Sequence, residues 1–220
     1  MDNKDIAFCI FQYLELIEII RYSTINTLIK SICDMQYERL LIYDYGKVFA
    51  KFFNDKTFKQ SYVKCYNLNI IRKLYMPNSS LINFFNSTNI DLRDHQIKII
   101  SESIGQLVNL QQLWLHNNKI KEISESIEQL INLQELLLSY NKIKEIPESI
   151  EQLINLQELW LSYNQIIELP ESIGQLINLQ KLCLSNNQIT ELPESIGELI
   201  NLQQLILDSN KIIGTNKTTC

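Results

Sequence analysis

The sequence predicts an α/β repeat solenoid, in which short parallel strands alternate with return segments and the copies stack. Two observations predict it. Residues 110–201 repeat every 23 residues without insertion, as LQQLWLHNNKIKEISESIEQLIN, LQELLLSYNKIKEIPESIEQLIN, LQELWLSYNQIIELPESIGQLIN and LQKLCLSNNQITELPESIGELIN. Self-similarity at a fixed period of this length is the mark of a stacked array. The apolar positions of one copy, moreover, cannot form a core alone, so neighbouring copies must bury them. A coiled coil would need a period of about seven, which is absent.

Each element follows from the pattern LxxLxLxxNxIxxIPxxIxxLxN. Leu113 and Leu115 leave one side of a strand, because side chains alternate along it. The strands are expected at Gln112–His116, Glu135–Ser139, Glu158–Ser162, Lys181–Ser185 and Gln204–Asp208, parallel in one sheet. Asn118 follows, with equivalents Asn141, Asn164, Asn187 and Asn210. A chain turning inside a stack leaves backbone groups that cannot reach water, and an amide both donates and accepts there. Ile120, Ile123, Ile127 and Leu130 then fill the core on the return. Residues 87–109 keep the same register through Ile90, Leu92, Ile97, Ile100, Ile104 and Leu107, with His95 in the Asn slot as a structural stand-in that hydrogen-bonds the turn.

These residues resemble the leucine-rich repeat family, in its 23-residue intracellular class. The resemblance implies a horseshoe whose parallel sheet lines the concave face. Residues beside the core leucines then point outward. One such row is Asp91, Trp114, Leu137, Trp160, Cys183 and Ile206, an apolar stripe with Trp on alternate copies. The row after the strand is Asp94, Asn117, Tyr140, Tyr163, Asn186 and Ser209. Aromatic side chains dominate binding hot spots, and exposed apolar patches mark interaction sites. The candidate partner-binding residues are therefore Trp114, His116, Leu137, Tyr140, Trp160, Tyr163, Cys183 and Ile206. Sheets favour aromatic residues in any case, and duplication copies them without purpose; binding is the reading preferred over this plainer one.

Composition narrows the function. The 220 residues are 45% hydrophobic and 20% charged. Residues 87–220 carry 9 Lys/Arg against 17 Asp/Glu, whereas residues 1–86 carry 11 against 8. An acidic repeat region does not suit phosphate backbones, so no nucleic acid is expected. No apolar run reaches the length of about 18 residues that spans a membrane, and the N-terminus lacks the features of a signal peptide. Cys9, Cys33, Cys65, Cys183 and Cys220 are scattered without metal-ligand spacing or a disulfide framework. The expectation is an intracellular, cytoplasmic chain (host cytoplasm for a viral one). No phosphate-binding loop, HExxH or paired-Cys site is present, and the carboxylates recur with the period as a solvated face does. Neither an enzyme nor a cofactor is predicted.

Residues 1–45 read as short helices, with Ile6, Ile10, Phe11, Leu14, Ile17 and Ile20 on one face. Such a module caps the open end of an array. It also resembles an F-box: Ile10-Phe11, Leu14, Ile19-Ile20, Ser23, Ile25, Ile32 and Tyr37 follow that family's spacing, without its Leu-Pro opening and with Ile29 where Trp is usual. The resemblance implies a Skp-type adaptor bound through residues 5–40, with Ile10, Phe11 and Leu14 as adaptor contacts, and a substrate receptor of a cullin ubiquitin ligase. The second reading is a scaffold whose helices only cap the array, like repeat proteins that bind Ras-like GTPases or phosphatases. Residues 46–86 read as a helical linker and divergent entry repeat, through Leu74, Pro77, Leu81 and Phe84. The repeats are expected over 87–109, 110–132, 133–155, 156–178, 179–201 and, in part, 202–213, before a frayed tail at 214–220.

Overall fold

The computed structural model describes residues 81–212, together with Arg72. The chain divides into two units, Met1–Lys73 and Leu74–Cys220, and the second holds every described helix and strand from Leu81 onward. The F-box-like segment, with Ile10, Phe11 and Leu14, lies outside the described residues, as do Leu74, Pro77 and residues 213–220.

A short helix α1 (Leu81–Phe85) leads into six strands: β1 (Asn89–Asp91), β2 (Gln112–Trp114), β3 (Glu135–Leu137), β4 (Glu158–Trp160), β5 (Lys181–Cys183) and β6 (Gln204–Ile206). They form one parallel sheet in sequence order, and each residue pairs with the one 23 positions later, as Leu113 with Leu136 and Trp114 with Leu137. The register therefore equals the sequence period, and every row across the sheet holds equivalent residues. The strands are three residues long rather than the five expected. Their hydrogen bonds continue beyond them, from Leu115 N to Leu137 O at 2.8 Å and from Asn117 N to Ser139 O at 2.9 Å. What ends the extended conformation is a left-handed residue at Asp94, Asn117, Tyr140, Tyr163, Asn186 and Ser209, where φ lies between 56° and 62°.

Five 3-10 helices return the chain: η1 (Glu102–Gln106), η2 (Glu125–Gln129), η3 (Glu148–Gln152), η4 (Glu171–Gln175) and η5 (Glu194–Glu198). Two local devices start them. Ser101 and Ser124 cap η1 and η2, their side chains accepting from Ser103 N and Ser126 N. Pro147, Pro170 and Pro193 precede η3, η4 and η5 without a capping bond, at φ of −69°, −69° and −64°. The proline ring presets the angle that the serine must hold by hydrogen bonding.

The core lies between sheet and return. In one copy Leu133, Leu136, Leu138, Ile143, Ile146, Ile150 and Leu153 are all buried. Burying each such side chain is worth about 1.5–3 kcal/mol, but only because the next copy covers it. At the first copy, Phe84 and Phe85 are buried as well.

Asn118, Asn141, Asn164 and Asn187 are buried polar residues, as expected. Each works identically. Asn164 Oδ1 accepts from Ile143 N of the preceding copy at 3.0 Å, and its Nδ2 donates to Leu138 O and Leu161 O at 3.0 Å each. Asn210 does the same for Ile189 N, Leu184 O and Leu207 O from a half-buried position. His95 occupies the equivalent slot in the first copy but does not reproduce the arrangement. Its side chain is exposed, and its ring Nδ1 bonds the local carbonyl of Arg93. Asn118 Oδ1 accepts from Ile97 N at 2.9 Å, as every ladder amide does from the copy before it, and here also from His95 N at 3.1 Å. An imidazole is too short of donors to serve two carbonyls and an N–H together. A second amide ladder runs along the return side, where Asn132, Asn155, Asn178 and Asn201 donate to Val108 O, Ile131 O, Ile154 O and Ile177 O.

Candidate protein-binding face of the sheet

The alternation of side chains along β2–β6 sends every second one away from the core. Three parallel rows result on the open face of the sheet, and each is built by the period. The first contains Leu137 and the half-buried Trp114 and Trp160. The second, two residues on, runs His116, Ser139, Ser162, Ser185 and Asp208. The third is the left-handed row with Tyr140 and Tyr163.

Both indoles are pinned. Trp160 Nε1 donates to Glu158 Oε2 at 2.9 Å, and the Lys181 ammonium sits 4.1 Å from its ring centre. Trp114 Nε1 donates to Glu135 Oε2 at 3.4 Å, with the Arg93 guanidinium 5.5 Å from its ring centre. A cation over an aromatic face contributes about 0.5–1 kcal/mol at an exposed site. Arg93 also pairs with Asp91 at 2.8 Å.

The tyrosines form a stack, with ring centres 4.3 Å apart and planes 9° from parallel. They are exposed, at 53% and 46%. Desolvation first, then the hydrogen bond and charge of Tyr163, raise the Tyr140 phenol above its ordinary value. Their left-handed backbone suits Asn or Asp, as at Asn117, Asn186 and Asp94, and is unusual for a bulky residue. Holding a side chain other than Gly there costs on the order of 1–3 kcal/mol.

His116, Leu137, Ser139, Tyr140, Trp160, Ser162, Tyr163, Ser185, Asn186 and Asp208 line one open groove of about 480 Å³. It therefore gathers five of the residues expected at the binding face. Trp114 stands on the same face beside it, and Ile206 lies half-buried at the last strand. Cys183 departs from expectation, being only 2% exposed between Trp160 and Ile206, the residues it pairs with across the sheet. A small side chain between two large ones is shaded, whatever its direction. Burial pushes its thiol pKa up, Lys181 pulls it down, and Glu158 adds to the rise. Cys183 should accordingly resist iodoacetamide in the native chain at neutral pH and react once the chain is unfolded, as read by peptide mass mapping. Its thiol favours the fold below the unfolded thiol's pKa, and that contribution is lost as pH rises through the higher folded value. The serine row is absent from the residues expected at the face, although its recurrence in LLLSYN, LWLSYN and LCLSNN is visible in the sequence. The cations over the indoles come from neighbouring copies and have no such signal.

Among the described residues, no cluster of His, Cys, Asp and Glu could hold a metal ion, and no helix is long and apolar enough to cross a membrane. A stack of strand-and-return copies with an aromatic groove on its open sheet defines a repeat-built recognition surface. Two family models place it: "leucine-rich repeat region" matches residues 148–219, and "leucine rich repeat" matches residues 108–166. The chain is a leucine-rich-repeat protein.

Among solved structures, a leucine-rich-repeat protein of Leptospira interrogans is 44% identical over 60% of this chain and 34% of its own, with a TM-score of 0.59. The plant peptide hormone receptor RGFR1, solved in complex with RGF2, is 33% identical over 58% of this chain and 21% of its own, with a TM-score of 0.53. Internalin C2 of Listeria monocytogenes is 27% identical over 60% of this chain and 57% of its own, with a TM-score of 0.51. The alignments thus span less than two thirds of each of these proteins. No curated protein matches the chain.

Proposed function

We propose that this protein is a non-enzymatic recognition module of the 23-residue intracellular class, which binds a protein partner on the open face of its sheet. The pinned aromatic groove carries this reading. Trp160 and Trp114 are already immobilised by carboxylates and cations, so a partner gains their contact area without the entropy of ordering them. The likeness to RGFR1, which is solved with RGF2 bound, supports a polypeptide as the occupant. Cysteine usage supports a reducing, intracellular compartment.

The connection to a ubiquitin ligase stands on the F-box-like residues Ile10, Phe11 and Leu14. One pull-down tests both parts, comparing the full chain, residues 87–220 and the full chain with Trp114→Ala and Trp160→Ala. Partners of the sheet should stay with both unmutated forms and be lost from the double variant. Recovery of Skp and cullin with the full chain alone supports the adaptor reading, and their absence leaves the scaffold. Each hot-spot truncation costs about 2 kcal/mol, so Trp160→Ala alone should weaken the partner by roughly thirtyfold. Unchanged affinity in the double variant would move binding to another surface.

A further inference from the structure

We infer that the groove takes an extended polypeptide segment whose backbone runs along the serine row and which carries a basic side chain at the β6 end, over Tyr163 and against Asp208. This deepens the reading of the sheet as a protein-binding face and rests on it. Three observations carry it.

The groove is a polar floor between two apolar walls. Ser139, Ser162 and Ser185 lie between Leu137 and Trp160 on one side and the Tyr140–Tyr163 stack on the other. Ser139 is only 9% exposed, and its hydroxyl has no hydrogen-bond partner, nor does the buried Nδ1 of His116 farther along the floor. Unpaired polar atoms in such a place call for donors and acceptors from an occupant. An extended chain presents its backbone N–H and C=O groups, whereas a helix has already paired its own. Side chains of an extended segment alternate, so they would fall in turn on the indole wall and the phenol wall.

The second observation is where the aromatic faces are already covered. Arg93 lies over Trp114 and Lys181 over Trp160. The tyrosine stack is flanked by the short Asn117 and Asn186, and among the described residues no cation lies over it. The outer face of Tyr163 opens on the part of the groove lined by Ser185, Asn186 and Asp208.

The third is charge. Asp91 is paired with Arg93, Asp94 accepts from Asn117, and Glu135 and Glu158 hold the indoles. The Asp208 carboxylate alone on this face has no bond or ion pair among the described residues, and it lies exposed at the groove's end. A guanidinium or ammonium stacked on Tyr163 would meet it. Two bulky residues held in a left-handed conformation where the short Asp94, Asn117, Asn186 and Ser209 serve the other copies are what such a stacking platform requires.

A displayed random-peptide library, panned on the full chain and counter-selected on Trp160→Ala, tests this. Recovered peptides should share an Arg or Lys beside aromatic or aliphatic residues. Asp208→Asn and Tyr163→Asn, the latter restoring the residue found at Asn117 and Asn186, should each weaken them by about tenfold. Neither variant should melt below the parent. Ser162→Val should also weaken binding, and N-methylation of a central peptide amide should abolish it. Trp160-dependent peptides without a basic residue, or indifferent to Asp208→Asn, overturn the inference and leave the binding face standing. Indifference to N-methylation overturns the extended backbone. Failure to recover any Trp160-dependent peptide overturns the binding face itself.

Discussion

Asn164→Ala is expected to destabilise the array by about 2–6 kcal/mol. The size follows from how the amide is shared. Ile143 N has Asn164 Oδ1 as its partner, so truncation strands a buried donor at a cost of about 1–3 kcal/mol. The two carbonyls fare better. Leu138 O also accepts from Asn141 Nδ2 at 2.9 Å, and Leu161 O from Asn187 Nδ2 at 2.9 Å. Each loses one of two bonds, worth roughly 0.5–1.5 kcal/mol apiece. A thermal melt should shift down by roughly 10 °C for a unit of this size. Asn210→Ala, at the half-buried last strand, should cost about 1 kcal/mol because water can replace the amide. Equal melting temperatures for parent and Asn164→Ala would mean that the ladder contributes nothing net.

The second large effect separates two glycines of the same motif. A Cβ added at Gly174 would lie 2.6 Å from Ser195 O and 2.7 Å from Ser195 Cβ, both in the next copy. Neither is the loose end of a flexible side chain, so η4 and η5 must move apart. Gly174→Ala should cost about 2–3 kcal/mol, the upper part of the range for overpacking. At Gly197 an added Cβ meets nothing within 4 Å. Gly197→Ala should therefore be neutral, or stabilise by about 0.4–1 kcal/mol by restricting the unfolded chain. Urea denaturation of the two variants decides it, and equal effects would show that the close stacking of η4 on η5 is not what requires Gly174. Copies two and three carry Glu128 and Glu151 at this position. Glycine there follows how closely the next copy packs, and it is not a demand of the motif itself.

The proposed adaptor binding through residues 5–40 and the proposed partner on the sheet can be tested separately. A variant altered at Phe11 and Leu14 but intact at Trp114 and Trp160 would keep the second while testing the first. The acidic balance of the repeats favours basic partners for the sheet whichever of these connections holds.

The sequence alone determined the stack, its register and its core. A fixed period of 23 makes the pairing partner of every strand residue the one 23 positions later, so Leu113–Leu136 and its kin followed from counting. The asparagine ladder was legible for the same reason, because a polar residue recurring inside an apolar pattern must satisfy backbone groups. Tertiary structure decided what depends on neighbours of unequal size. Cys183 shares its row with Trp160 and Ile206, and only their bulk buries it. His95 sits in the asparagine register yet faces water, because position in a period does not supply the bonding capacity that holds an amide inward. The ladder runs on past each three-residue strand until the chain turns left-handed, a conformation that Tyr140 and Tyr163 do not advertise. The groove belongs to this second kind. Its walls and floor come from separate rows, the cations over its indoles from adjacent copies, and its open polar atoms from packing, none of which a one-dimensional period encodes.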